Sequence, residues 1–223
     1  MGIDKRRLVI SAITKRIQTH WPELKISQGT IYLYYLIEGW SDILYTDTTG
    51  NQTIGLGHKL TAEDKLRLEK GLQLGREQLV CFAANDIVKS INLAELQPEY
   101  KSKVIRPVFG YLIFNLGNYG FSKFVNFRAA ARKFQEMMTD VNALKMLNEL
   151  ADSKWATQVP RALRIISNYV LRSEVTANYL DEADYHFKGE KIHPNLREAT
   201  FREPSYFNLP NITPKLNRIN EAS

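Results

Sequence analysis

The 223-residue chain contains a single cysteine, Cys81, and four scattered histidines. One cysteine excludes an intramolecular disulfide and a metal site built from several thiolates. No metalloprotease helix motif, nucleophile elbow, P-loop or dinucleotide fingerprint occurs either. We therefore expect no metal and no cofactor, and we expect a buried, inert thiol at Cys81 because its neighbours are apolar.

Long hydrophobic runs are also missing. No apolar segment reaches the roughly 18 residues that cross a bilayer, and the first residues lack the apolar stretch and small-residue cleavage site of a signal peptide. We expect no integral membrane segment and no export signal. The protein would then be made in the cytoplasm and would reach any target outside it by another route.

The charged residues are unbalanced, with 30 Lys and Arg against 24 Asp and Glu and a net charge of +6. Such a surplus favours polyanionic partners, including nucleic acid, anionic lipid and bacterial cell wall. Residues 5–20 follow a basic amphipathic helix pattern, which either contacts an anionic surface or docks on a core with its charged face in solvent. No nucleic-acid-binding motif accompanies this helix, so we expect no nucleic-acid partner.

The pattern of apolar residues changes along the chain. Residues 28–37 predict an apolar helix that ends at Glu38-Gly39, and residues 43–58 predict a small hairpin or three-stranded sheet. Helical periodicity then dominates to about residue 175, and the proline- and asparagine-rich end of the chain has none. The sequence predicts a mixed α+β fold that is mostly helical.

The hairpin and the helix before it carry the side chains most suited to chemistry. If the turn is centred on Gly50, Asp47 and Thr53 are cross-strand neighbours on one face, able to hold a water molecule between them. Glu38 ends a helix, where the dipole opposes ionisation by about 0.3–1 kcal/mol and burial would have to raise the pKa further. A protonated acid opposite a carboxylate with bound water suits glycoside hydrolysis. Taken singly, each residue is more simply a solvated charge or a turn residue.

The segment from Glu38 to His58 reads E-G-x5-Y-x-D-x2-G-x2-T-I-G-x-G-H. This pattern resembles the catalytic signature of glycoside hydrolase family 24, the T-even phage type lysozymes. The resemblance covers roughly residues 28–180. Two later motifs continue it: Phe114-Asn115-Leu116-Gly117 with Gly120 and Phe124, and Ser153-Lys154-Trp155 with Gln158, Pro160 and Arg164.

The resemblance implies a role for each residue of the signature. Glu38 would be the general acid, Asp47 would activate or stabilise opposite it, and Thr53 would position the attacking water, with inversion at the anomeric carbon. His58 and Asp86 would form a structural ion pair.

Further site residues follow from position in the family. Lys59, Phe114, Phe127 and Glu149 fall where the family contacts sugar or peptide. The arginine that supports the family's glutamate has Ala162 at its position here, so Arg161 or Arg164 is left to take its place.

The implied fold is a lysozyme-like α+β fold, mostly helical, with a small β-hairpin lobe and a helical lobe flanking a cleft. Residues 28–180 would form the catalytic domain, residues 1–27 an amphipathic helical extension at the N-terminus, and residues 181–223 an irregular extension at the C-terminus.

The implied activity is that of a muramidase, which hydrolyses the β-1,4 bond between N-acetylmuramic acid and N-acetylglucosamine in bacterial peptidoglycan without a cofactor. We expect a phage endolysin that acts on the cell wall after holin release. An interbacterial effector, a tail-associated lysozyme and a non-catalytic wall-binding module are the alternatives. Delivery machinery or a cognate inhibitor would bind through the two extensions.

Overall fold

The computed structural model describes residues 3–47, 49–69, 74–99, 104–171 and 194–195. Within these ranges the chain is mostly helical and has one small antiparallel sheet, so the expected mixed, mostly helical class is confirmed. No helix in these ranges is long and apolar enough to span a bilayer. The irregular C-terminal extension expected at residues 181–223 lies outside the described residues, apart from residues 194–195.

The described elements follow one another in chain order. They are α1 (Ile3–His20), a 3₁₀ turn (Pro22–Leu24), α2 (Gln28–Glu38), β1 (Ser41–Thr46), β2 (Gln52–Gly55), β3 (His58–Lys59), α3 (Ala62–Glu69), α4 (Arg76–Glu95), α5 (Ile105–Ser122), α6 (Val125–Glu136), α7 (Asp140–Ala151), α8 (Lys154–Gln158) and α9 (Pro160–Leu171).

Helix α2 begins and ends as its sequence predicts. The Oγ atom of Ser27 accepts the N–H of Thr30 at 3.1 Å and so caps the first turn. Gly39 follows the helix with a φ of 78°, which a residue without a Cβ adopts readily, and its N–H donates to the carbonyl of Tyr35. The chain therefore turns sharply immediately after Glu38, so that this carboxylic acid stands at the end of the helix.

Helix α1 packs into the main core against α4 and α2. Its apolar residues Val9, Ile13 and Ile17 are at most 1% exposed, whereas Lys5 and Lys15 are exposed. The docked alternative for residues 5–20 is therefore confirmed. The helix within the expected N-terminal extension shares one core with the helices that follow it.

The close contact of α5 with its neighbours depends on Gly110. A Cβ at this residue would lie 2.5 Å from Cδ1 of Ile91 on α4 and 2.6 Å from the hydroxyl of Tyr34 on α2. Real side chains essentially never approach so closely, so a larger residue here would force Ile91 or Tyr34 to shift. As a result the next residue, Tyr111, is held beside α2.

The sheet has the order β1-β2-β3, and β1 forms one edge. Tyr45 pairs with Thr53, and Thr53 in turn pairs with Lys59 on β3. Residue Ile54 contributes to a small second core with Leu60 and Leu79, which fastens the sheet to α4. The sheet thus packs on α4 and holds the turn between β1 and β2 in place.

Candidate active site

Glu38 is held from two directions at the end of α2. The hydroxyl of Tyr111 donates a hydrogen bond to its Oε1 atom at 2.8 Å. On the other side the β2–β3 turn comes so close that a Cβ at Gly57 would lie 3.0 Å from Oε2. Gly57 has a φ of 71° and no side chain, and both properties let the backbone approach the acid.

The surroundings of Glu38 change its acidity in opposing ways. Burial raises its pKa and is the largest effect, since it disfavours the charged form. The Tyr111 and Asn115 hydrogen bonds and the positive charges of Lys59 and Arg161 act in the opposite direction. The pKa remains above its ordinary value, so Glu38 keeps its proton to higher pH than an exposed glutamate.

Asp47 lies at the turn of the β1–β2 hairpin and is bound by the turn itself. Its Oδ1 atom accepts the backbone N–H groups of Thr49 at 2.9 Å and Asn51 at 2.8 Å, and also the Thr49 hydroxyl at 2.8 Å. These donors, the Asn51 N–H first, hold the pKa of Asp47 well below its ordinary value. Glu38 and Asp47 therefore have pKa values shifted in opposite directions.

Thr53 does not lie directly opposite Asp47, and that prediction is wrong. Thr53 pairs with Tyr45, while the N–H of Asp47 donates to the carbonyl of Asn51 at 2.8 Å. The hydrogen bonds from the turn to Asp47 centre the hairpin on Thr49 instead of Gly50. Since side chains alternate along a strand, Asp47 and Thr53 still share a face, as diagonal neighbours about 7–8 Å apart. Thr53 is buried, and its hydroxyl donates to the Asn51 carbonyl at 3.2 Å.

Lys59 and Tyr45 both interact electrostatically with Glu38 and Asp47. The Nζ atom of Lys59 lies 3.5 Å from Oδ2 of Asp47, and the same charge acts on Glu38. Burial and the negative charges of Glu38 and Asp47 raise the pKa of Tyr45. The positive charge of Lys59 thus influences both Glu38 and Asp47.

The two downstream motifs meet beside Glu38. The indole N–H of Trp155 donates to Oδ1 of Asn115 at 2.9 Å, and the side chain of Asn115 in turn lowers the pKa of Glu38. Phe114 packs edge-on against Tyr34, with ring centres 5.3 Å apart, and is partly buried. The helical side of the site is therefore formed by α5 together with Trp155 of the late motif.

One of the expected substrate contacts, Phe127, is not available to a ligand. Phe127 is 1% exposed and packs against Phe109 and Phe124, so it is a core residue of α6 with no surface for a ligand. Glu149 lies half-buried on α7, and its contact with substrate stays a prediction. An apolar residue on the inner face of an amphipathic helix is more favourable in the core than at a ligand surface.

His58 and Asp86 form the expected pair. The Nδ1 atom of His58 lies 2.7 Å from Oδ2 of Asp86, and its Nε2 atom lies 3.4 Å from Oδ2 of Asp64. The imidazole stacks on Phe82 with ring centres 4.3 Å apart. Burial lowers the pKa of His58, but the two carboxylates outweigh it and the pKa is raised overall. This cluster joins β3, α3 and α4.

Of the two arginines left open by the sequence, Arg161 is the one that acts on Glu38. Its Nη2 atom donates to the carbonyl of Leu36 on α2 at 3.1 Å, and its charge lowers the pKa of Glu38. Ala162, at the family's arginine position, is 2% exposed. Arg164 has an Nε atom that is buried and has no hydrogen-bond partner among the described residues.

Sequence reasoning missed Tyr111 and Gly57. Tyr111 carries no motif signal, because a tyrosine in an apolar helix is an ordinary core residue. Gly57 belongs to the signature, but only the folded turn brings it to Oε2 of Glu38.

In the described residues no group of three or more His, Cys, Asp or Glu side chains is placed to hold a metal ion. Cys81, expected to be buried, is half-buried on α4. No protein-family model and no curated protein matches the chain.

Proposed function

We propose that the protein is a lysozyme of glycoside hydrolase family 24, a muramidase that cleaves the β-1,4 bond between N-acetylmuramic acid and N-acetylglucosamine in peptidoglycan. One observation carries the proposal: Glu38 at the end of α2, bound by Tyr111, and Asp47 at the hairpin turn, bound by its own N–H groups, share Lys59 as a nearby cation, and their pKa values are shifted in opposite directions. General acid catalysis needs one carboxyl protonated while its partner is ionised. The helix end and the hairpin turn provide that difference.

In the proposed reaction Glu38 donates its proton to the glycosidic oxygen as the bond to the anomeric carbon breaks. Asp47, ionised, stabilises the positive charge on the sugar and takes a proton from the attacking water, whose oxygen bonds to the anomeric carbon. Thr53 donates to the Asn51 carbonyl, which leaves its oxygen lone pairs free to accept a hydrogen bond from that water. Attack from the face opposite the leaving group inverts the anomeric configuration.

The lysozyme-like arrangement is part of the proposal. The sheet would form the small lobe, α5 to α9 would form the helical lobe, and the sugar chain would lie between them against Glu38. Lys59 and Phe114 are the proposed substrate contacts, because both stand beside Glu38 or its partners. The net charge of +6 supports a wall substrate, since anionic wall polymers attract a basic protein.

The experiment that tests the proposal is digestion of purified peptidoglycan by wild type, Glu38→Gln and Asp47→Asn. Borohydride reduction before mass spectrometry identifies the sugar at each new end. Fragments that end in reduced N-acetylmuramic acid are expected from wild type, with at least a hundredfold less from either variant. Glu63→Gln is the control, because it removes an exposed carboxylate that pairs with Arg67.

Other products would assign other chemistry. Reduced N-acetylglucosamine ends would mean that the other glycosidic bond is cut, and anhydro-sugar ends would mean that no water is added. Binding to the wall without any fragments would favour the non-catalytic module.

The proposed biological role is that of an endolysin. Expression in the bacterial cytoplasm is then expected to cause lysis only when a holin is made as well. Lysis that depends on a secretion machine would favour the effector instead, and a wild type found in tail particles would favour the tail-associated lysozyme.

A further inference from the structure

Tyr111 donates a hydrogen bond to the carboxyl of Glu38, on which Asn115 also acts. Its hydroxyl lies 2.8 Å from Oε1, and the residue is 1% exposed. It is presented by the stretch of α5 that Gly110 allows to approach α2. No motif in the sequence assigns it a role.

Tyr111 is the donor in this hydrogen bond. Burial is the main cause that raises the pKa of Tyr111 far above its ordinary value, and the nearby Glu38 adds to the effect. The phenol therefore stays protonated near neutral pH and is the donor toward Oε1 of the carboxyl. Oε1 is then the accepting oxygen, and the proton of the neutral acid is carried by Oε2.

We propose that Tyr111 is a positioning residue that binds Oε1 of Glu38, directs the transferable proton to Oε2 and stabilises the carboxylate left after proton transfer. The inference rests on the proposed function and deepens it. A charge-assisted hydrogen bond is stronger than a neutral one, so the contact gains strength as Glu38 gives up its proton. An interaction that strengthens during the reaction lowers the barrier, whereas one that is constant does not.

The ring of Tyr111 is held in place by its neighbours. Tyr34 meets it edge-on with ring centres 5.6 Å apart, and Phe114 lies 6.4 Å away. The hydroxyl of Tyr34 is bonded to Ser90 at 2.9 Å, and Ser90 donates its own proton to the carbonyl of Ile87. Tyr34 therefore donates to Ser90, which makes Tyr34→Phe a matched control that loses a buried hydroxyl away from the acid.

The test compares wild type, Tyr111→Phe and Tyr34→Phe by measuring kcat, KM and the pH dependence of kcat/KM on peptidoglycan. Activity falls as pH rises through the pKa of Glu38, because only the protonated acid is competent. Tyr111→Phe removes a donor that lowers this pKa, so the basic limb of the profile is expected at higher pH. We expect kcat to fall about tenfold with KM little changed. Tyr34→Phe is expected to retain the wild-type profile and kcat.

Two outcomes would overturn the inference while leaving the proposed function intact. One is a Tyr111→Phe enzyme with the wild-type kcat and the wild-type basic limb. The other is the same change of profile in Tyr34→Phe, which would mean that any lost core hydroxyl has the effect. A wild type that releases no fragments would contradict the proposed function instead.

Site-specific Tyr111→3-fluorotyrosine keeps the test decisive if Tyr111→Phe does not fold. Fluorine makes the phenol a stronger donor with almost no change in shape. The basic limb is then expected at lower pH than in wild type, opposite to the Phe variant. An unchanged limb would refute a direct hydrogen bond to the acid.

Discussion

The ammonium group of Lys59 lies 3.5 Å from Oδ2 of Asp47 and also lowers the pKa of Glu38. A cation on β3 thus acts on both carboxylic acids, although they belong to different elements. The two are affected unequally. Asp47 is kept ionised mainly by the N–H groups of its own turn, whereas the acidity of Glu38 is a balance between burial and nearby donors and charges.

Lys59→Met is expected to move the basic limb of the kcat/KM profile to higher pH. The loss of a positive charge raises the pKa of Glu38, while Asp47 stays ionised. The shift should be less than about one pH unit and should shrink at high salt, because Lys59 is exposed and its charge is screened. Lys89→Met, which removes an exposed charge from α4, is the control. An equal shift in both variants would indicate a net-charge effect.

Arg161→Met and Arg164→Met should separate the two arginines that the sequence left open. Arg161 lowers the pKa of Glu38 and binds the Leu36 carbonyl. Its loss is therefore expected to move the basic limb of the kcat/KM profile to higher pH by a few tenths of a pH unit. Arg164→Met is expected to leave the limb in place, even if it changes the free energy of unfolding. A shift in Arg164→Met alone would reverse the assignment.

Gly57→Ala and Gly55→Ala form a pair that isolates the contact with Glu38. Both glycines have a positive φ, at 71° and 64°, so alanine should cost each about 1–2 kcal/mol of unfolding free energy. Only at Gly57 does the new Cβ come 3.0 Å from Oε2, whereas at Gly55 the nearest atom is 3.7 Å away. We expect kcat to fall at least about tenfold more in Gly57→Ala. Equal kcat values at equal stability would contradict close packing at the acid.

The His58–Asp86 pair predicts a pH-dependent stability. The pKa of His58 is raised by folding, so the stabilisation is fully present below the unfolded value of about 6.5 and is lost as pH rises through the folded value. Asp86→Asn should lower the free energy of unfolding by about 1–3 kcal/mol near pH 5.5 and by less near pH 9. Urea denaturation at both pH values measures this.

The control for the ion pair is again Glu63→Gln, whose carboxylate is 72% exposed. It is expected to change stability by less than about 0.5 kcal/mol at either pH. Asp64, the second carboxylate on His58, retains part of the effect in Asp86→Asn. A loss that is identical at the two pH values would show that the pair contributes through packing and not through charge.

The elements were predictable where the local signals agreed. The end of α2 at Glu38 is marked by glycine, and the apolar spacing of Val9, Ile13 and Ile17 identifies the buried face of α1. The hairpin was predictable from its turn and strand residues, and the pairing of His58 with Asp86 from the resemblance.

The register and the finer site contacts could not be predicted in the same way. The hydrogen bonds of Asp47 decide whether the turn is centred on Thr49 or on Gly50. The sequence alone does not show which of the two turns is more stable. Phe127 was expected at the ligand surface, but whether an aromatic residue faces a ligand or the core depends on how its helix is rotated. Tyr111 reaches Glu38 through the packing of α5 on α2, which Gly110 leaves room for and which no sequence motif marks.

The burial of α1 has a consequence during protein synthesis. Val9, Ile13 and Ile17 leave the ribosome before α4, which supplies much of their cover and begins at Arg76. Until then a nascent chain carries an apolar stripe flanked by basic side chains, open to chaperones and to other growing chains. A fusion partner attached before α1 must leave that stripe free to pack against α4. We therefore expect the yield of folded protein to increase with the length of the linker between the tag and α1.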